Sequence, residues 1–158
     1  MQTISPFLWF DTEAEEAAKL YVSLFPDSRI LATSYYGGDS PGQAGSVMVV
    51  DFEIGGMRVQ AMNAGPTFHF TEAVSFYVAA ETQEEIDRLW DALIADGGEP
   101  SQCGWLKDRW GLSWQIVPAV LPTLMTDPDP ERAGRTMQAM LQMSKLDIAA
   151  LRAAADGR

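Results

Sequence analysis

Glu15-Glu16-Ala17-Ala18-Lys19-Leu20-Tyr21 returns 69 positions later as Glu84-Glu85-Ile86-Asp87-Arg88-Leu89-Trp90, with the acidic pair, the basic residue, the leucine and the aromatic in the same places. The same offset lays Phe7 on Phe76 and Leu8 on Tyr77. Further along, Gly56-Met57-Arg58-Val59-Gln60 matches Gly111-Leu112-Ser113-Trp114-Gln115 at an offset of 55. Either match alone is within reach of chance, but two in the same order point to a duplicated module. The offsets differ by 14 residues, which places the length change between the helix and the closing hairpin. There the first copy carries the Gly-, Ser- and Pro-rich stretch from Gly37 to Gly45.

Periodicity supplies the elements within each copy. Ile4 to Phe10 is apolar and aromatic and predicts a buried strand. Thr12, with Glu15 three residues on, has the spacing of a capping box. The helix it opens carries Ala14, Ala17, Ala18, Tyr21, Leu24 and Phe25 on one side and stops at Pro26-Asp27. Arg29 to Tyr36 predicts a strand, and Val47–Ile54 with Met57–Met62 a hairpin about Gly55-Gly56. In the second copy, Ala73–Ala80 is a strand, Thr82 caps a helix to Ala95, and Trp105–Asp108 with Leu112–Val117 forms a hairpin around Gly111. Past Pro118 the chain is helical: Val120–Thr126, a helix opened by Asp129-Pro130, and a last one opened by Asp147.

The fold class is therefore α+β: two tandem βαβββ modules, about 1–64 and about 72–118, around a shared core. A helical tail over about 119–158 completes a single domain.

Composition narrows the function. The net charge is −11, which weighs against nucleic acid, where affinity comes from Lys and Arg, and against anionic membranes. No apolar run approaches the length of a membrane span. Met1-Gln2-Thr3-Ile4-Ser5 lacks the basic start and apolar stretch of a signal peptide. The single cysteine, Cys103, fits a reducing compartment, so a cytoplasmic location is expected.

Strand alternation assigns faces. One consistent assignment puts Phe7, Trp9, Phe76, Val78, Val59, Trp114 and Ile116 against the helices as core. Gln60 and Gln115 then lie on the opposite, concave face.

Pro6-Phe7-Leu8-Trp9-Phe10-Asp11, Tyr21 with Phe25-Pro26, and Gln102-Cys103-Gly104-Trp105-Leu106-Lys107-Asp108 followed by Gly111 to Pro118 resemble the PhnB-like branch of the vicinal-oxygen-chelate (glyoxalase/bleomycin-resistance) superfamily. The resemblance covers nearly the whole chain. It implies curved sheets forming a cup, a homodimer, and four inward positions that hold a metal in the superfamily's enzymes. Carried over, these fall on Pro6, Gln60, Ser75 and Gln115. Proline offers no side-chain ligand, and two amides with a hydroxyl suit neither zinc nor the hard divalent ions. No metal and no cofactor are expected.

The branch often carries the name "3-demethylubiquinone-9 3-methyltransferase". Methyl transfer is not expected, because the chain has no Gly-x-Gly and its βαβββ order does not build the crevice that common S-adenosylmethionine sites use.

The candidate ligand face comprises Gln60, Gln115, Ser75, Tyr77 and Trp105. The two glutamines either bind a small polar ligand or bond each other, water or backbone; Trp105 is either pocket wall or core. Cys103, near Lys107, and His69, between Phe68 and Phe70, lie 34 residues apart and form no readable triad. Met125, Met137, Met140 and Met143 make a stripe suited to packing the tail. Three functions compete: a metal-free small-molecule binder or enzyme, a metal-dependent lyase, isomerase or dioxygenase, and a structural or regulatory homodimer.

Overall fold

The computed structural model describes residues 4–158; Met1-Gln2-Thr3, part of the stretch read above for a signal peptide, lies outside them. The chain divides into two compact units, residues 1–70 and 71–158. The first contains β1 (Phe7–Phe10), α1 (Ala14–Leu24), β2 (Arg29–Tyr35), β3 (Val47–Ile54) and β4 (Met57–Asn63). Its sheet order is β1-β4-β3-β2, with β1 parallel to β4 and the other pairs antiparallel. The second unit repeats this as β5 (Ser75–Ala80), α2 (Gln83–Ile94), β6 (Glu99–Pro100), β7 (Trp105–Lys107) and β8 (Ser113–Pro118), in the order β5-β8-β7-β6. It then adds α3 (Leu121–Met125), α4 (Pro130–Leu141) and α5 (Ile148–Ala155). The duplication and the α+β class both hold. Strand β6 is missing from the sequence reading, because two residues ending in proline carry no alternation to detect.

The strand offset is corrected by one residue. In β1 the buried residues are Leu8 and Phe10, whereas Phe7 is 53% exposed and Trp9 is partly buried. Leu8 lies beside Ala61 in register, as Val78 lies beside Ile116, so the strands superpose at an offset of 70. The helices keep 69, since buried Ala17, Tyr21 and Leu24 match buried Ile86, Trp90 and Leu93. The extra residue sits in the strand-to-helix turn, which has three residues (Asp11–Glu13) in the first unit and two (Glu81–Thr82) in the second. One residue of slip inverts a strand's faces. Phe7 and Trp9 therefore leave the core assigned to them, while Val59, Phe76, Trp114 and Ile116 stay buried. Phe76 and Trp114 meet edge to face at 5.1 Å.

The capping box forms only in the second copy. Thr82 accepts from Glu85 N, and Glu85 accepts from Thr82 N. Thr12 does not cap α1. The longer turn makes Glu13 the cap residue, and Asn63 at the end of β4 supplies the missing acceptor, its Oδ1 taking the Ala14 N–H at 2.8 Å.

Two residues of the Gln102–Pro118 motif hold the second hairpin. Asp108, 2% exposed, accepts from Trp110 N, Leu112 N and Trp114 Nε1, each at 3.0 Å. Gly104 has φ +85°, and a Cβ there would lie 2.8 Å from Ile116 O and 2.9 Å from Leu146 Cδ1. Cys103 N and Gly104 N donate to Met143 O and Ser144 O, which stitches the tail to the hairpin.

The tail packs within the second unit. Leu146 and Leu151 are buried with Val117 and Leu121, and Met125, Met140 and Met143 pack against them, while Met137 is exposed. Gln83 donates to Leu146 O and accepts from Ile148 N, joining the tail to α2. Among the described residues no helix is long and apolar enough to cross a membrane.

Asp108→Ala removes the acceptor of three buried or partly buried N–H groups. At about 1–3 kcal/mol per stranded donor, it is expected to lower unfolding free energy by about 3 kcal/mol or more in urea titration; a loss within 0.5 kcal/mol, about that of a neutral surface change, contradicts this role.

The acid limit follows from ion pairs. Asp87 is held below the usual carboxylate range by Lys145 and Gln83, Asp127 by the Asp129 N–H and Arg132, and Asp156 by Arg158 and Arg132. Depressed carboxylates stabilise fully above the ordinary value near about 4 and lose that contribution as pH falls through the lower folded value. Proteolysis with an acid-active protease should therefore speed cleavage in α4 and α5 relative to the sheets only below about pH 4. A constant ratio down to full unfolding contradicts the assignment.

Candidate functional site

In the first unit the sheet face turned away from α1 carries Phe7, Trp9, Gln60, Met62, Val49 and Asp51. The register sets Phe7 beside Gln60, Trp9 beside Met62, and Asp51 beside Gln60. Asp51 is held by Arg58 in a bidentate pair that also raises the arginine's proton affinity, and Glu53 is paired with Arg29 at 2.9 Å. The Gln60 side chain makes no hydrogen bond among the described residues, so its amide is available on this face.

At the Trp9–Met62 end this face deepens into a cleft of about 720 Å3. Its walls include Trp9, Tyr36, Met62 and Asn63, with Asp11 and Glu15 at the rim from the start of α1. The roof is the loop between β2 and β3. Tyr36 N donates to Ser46 O, and Gly45 N donates to Tyr36 O, folding the loop back on itself. Gly42 lies so close to the Tyr36 ring that a Cβ would collide with it. This loop, together with the longer β2 and β3, supplies the extra length that separated the two repeat offsets. Insertions in a repeat map to one face, and here that face is the one turned away from α1.

Trp9, Tyr36 and Asn63 are each fixed by hydrogen bonds at their polar ends. Trp9 Nε1 donates to Gly65 O at 2.8 Å, and Phe68 meets the indole edge to face at 5.0 Å. The Tyr36 hydroxyl donates to Asn63 O. The Asn63 amide donates to Val47 O at 3.1 Å while its oxygen caps α1. One asparagine thus ties β4, β3 and α1 together at the cleft.

In the second unit the corresponding face brings four of the five candidates together. Tyr77 and Trp105 both flank Gln115 in register, and Gln115 Nε2 donates to Ser75 Oγ at 2.8 Å. Gln115 is therefore bonded within its own sheet, whereas Gln60 is not. Tyr77 is 53% exposed and Trp105 partly buried, so Trp105 belongs to this face and not to the core. Lys107 is paired with Glu72, which raises the lysine and lowers the carboxyl, and it is not a free cation beside Cys103. His69 is exposed.

The metal positions carried over by resemblance need the same one-residue correction. The β1 residue that shares a face with Gln60 is Phe7, not Pro6. At the offset of 70 the counterpart of Ser75 is Ser5, two residues before Phe7 and by alternation on the same face. The set becomes Ser5 and Gln60 in the first unit and Ser75 and Gln115 in the second, two hydroxyls and two amides. That donor chemistry does not fit a divalent ion. Among the described residues no three His, Cys, Asp or Glu side chains gather into a metal-sized group.

Sequence reasoning missed Trp9, Tyr36 and Asn63 as site residues. Trp9 fell to the parity slip, and Asn63 stands one residue past the strand expected to end at Met62. The loop's length was the available signal for Tyr36.

The chain matches the family described as 3-demethylubiquinone-9 3-methyltransferase over residues 2–117. Among solved structures it is similar to the PhnB protein of Bacillus cereus, described under the same methyltransferase name, at 37% identity and TM-score 0.69, covering 75% of this chain and all of that one. A Pseudomonas aeruginosa protein is similar at 22% identity and TM-score 0.60, over 75% of this chain and 98% of the other. The fosfomycin resistance protein of Listeria monocytogenes shares the fold at 15% identity and TM-score 0.53, over 77% and 94%. A search of curated proteins returns no match.

Asn63→Ala strands the buried Ala14 N–H and the Val47 carbonyl. It is expected to cost about 2 kcal/mol in denaturant unfolding and to speed amide exchange at the first turn of α1. Unchanged exchange there contradicts the capping role.

Proposed function

Because this chain belongs to the PhnB-like family that bears the name 3-demethylubiquinone-9 3-methyltransferase, within the vicinal-oxygen-chelate fold, we propose that it holds a small organic molecule in the cleft of its first unit, without a metal. The observation that carries this is the 720 Å3 space walled by Trp9, Tyr36 and Met62. Pockets for drug-sized molecules have this size, with aromatic walls and a few fixed polar groups. The Gln60 amide, next along the same face, supplies a donor and an acceptor for orientation. Ser75, Tyr77, Trp105 and Gln115 form the equivalent ligand face of the second unit in the same proposal. The homodimer that the resemblance implies belongs to it as well.

Methyl transfer from S-adenosylmethionine is not part of the proposal. Both strand-to-helix turns, Asp11–Glu13 and Glu81–Thr82, are acidic and free of glycine, the opposite of a cradle for an anionic or nucleotide-like cofactor. Fosfomycin resistance is a property of the Listeria protein, and 15% identity carries only its fold here.

A thermal-shift screen of small polar and aromatic compounds is expected to find stabilising ligands, a compound at a hundred times its Kd adding about 2.7 kcal/mol. The ligand-dependent increment should fall sharply in Trp9→Ala; a hit whose increment survives there intact contradicts the placement. Metal analysis of purified protein should find zinc, iron and manganese well below one per chain, and a stoichiometric ion would overturn the metal-free reading. Light scattering is expected to give twice the 17.3 kDa chain mass, and a monomer would remove the dimer.

A further inference from the structure

The cleft of the first unit has a sign. Asp11 and Glu15 are the charged residues that line it, and no Lys, Arg or His does. Asp11 is exposed and its carboxylate has no ion-pair or hydrogen-bond partner among the described residues. Glu15 is paired with Lys19 at 2.9 Å, but both are solvent-accessible, with side chains 40% and 65% exposed, so water screens that pair. The start of α1 brings a positive helix end of about half a charge to the same rim. Asn63 already occupies one of its N–H groups, and Glu13 and Glu16 add two further carboxylates beside it. The roof loop adds Asp39 and no cation. Over residues 1–70 there are eight carboxylates against three Lys and Arg, and Arg29 and Arg58 are bound to Glu53 and Asp51.

The walls agree with the rim. Trp9 and Tyr36 line the cleft with aromatic rings, whose π systems carry negative quadrupoles, and tryptophan is the aromatic best suited to a cation. Their polar ends are already used, the indole N–H by Gly65 O and the hydroxyl by Asn63 O, so the rings offer π surface and no donor for an anion. Met62 adds polarizable apolar surface.

We infer that the ligand of this cleft is an organic cation, an amine or quaternary ammonium carried on an apolar or aromatic body. The ammonium lies toward Asp11 and Glu15, and the body rests against Trp9, Tyr36 and Met62. This rests on the small-molecule reading above and names the ligand's chemical class.

The test uses three probes of similar size, benzyltrimethylammonium, benzyl alcohol and phenylacetate, titrated into the full chain while the Trp9 indole N–H resonance is followed, with Trp9→Phe identifying that signal. The cation is expected to move the Trp9 resonance with a Kd about tenfold or more below that of the alcohol, and phenylacetate to leave it unmoved. The double variant Asp11→Asn/Glu15→Gln, isosteric and on the surface, should bring the cation's Kd up to that of the alcohol. If the alcohol or phenylacetate binds at Trp9 as tightly as the cation, and the double variant changes nothing, the cation assignment is overturned while the cleft stands as a binding site. If no probe moves the Trp9 resonance, yet the thermal-shift screen yields a ligand that does, the cation assignment falls alone. If that ligand also leaves Trp9 unmoved, the cleft reading falls with it.

Discussion

The parallel pairing of the first and last strands in each module decides which side chains can reach a ligand. Leu8 beside Ala61 and Val78 beside Ile116 turn those residues toward the helices. The pleat then commits Phe7, Trp9 and Gln60, or Ser75, Tyr77 and Gln115, to the other side. Nothing local to Trp9 makes it a wall residue. It is one because Leu8 and Phe10 are buried, and those are buried because β1 lies against β4 in this register and no other.

Most of the architecture was legible because its signals are periodic. The repeated helix, the Gly55-Gly56 hairpin and the Asp129-Pro130 and Asp147 caps are local patterns with local causes, and each forms where expected. The shared face of the second unit was legible too, since β5 alternates, Gln115 is the one partly exposed residue of β8, and Ser75, Tyr77, Trp105 and Gln115 fall together. The first unit failed at one point. Its strand Phe7–Phe10 is apolar at every position, so alternation gave no answer, and the face was borrowed from the other copy through an offset that the longer Asp11–Glu13 turn breaks. Pro6 and Phe7 were each assigned to the wrong face for that reason alone. Long-range devices stayed invisible for a different reason: Asn63 capping a helix 49 residues away, or Asp108 accepting from the indole of Trp114, leaves no mark on neighbouring sequence.

The two copies differ in the connection between their second and third strands and in how their polar side chains are bonded. The first kept a long loop and uses it to roof a cleft, fixed by Asn63 and Tyr36. The second has only residues 101–104 between β6 and β7, and its polar side chains are bonded internally, Gln115 to Ser75 and Asp108 within its own hairpin. One scaffold thus occurs twice, and the cleft lies on the copy with the longer connection.

Strand parity in β1 is open to direct measurement. Phe7→Cys and Leu8→Cys variants differ by one position and, by the pleat, by one face. Alkylation of the native chain, read at each cysteine by peptide mass so that Cys103 serves as internal reference, should label position 7 much faster than position 8. Faster labelling at position 8 would return Phe7 and Trp9 to the core and remove the cleft's principal wall.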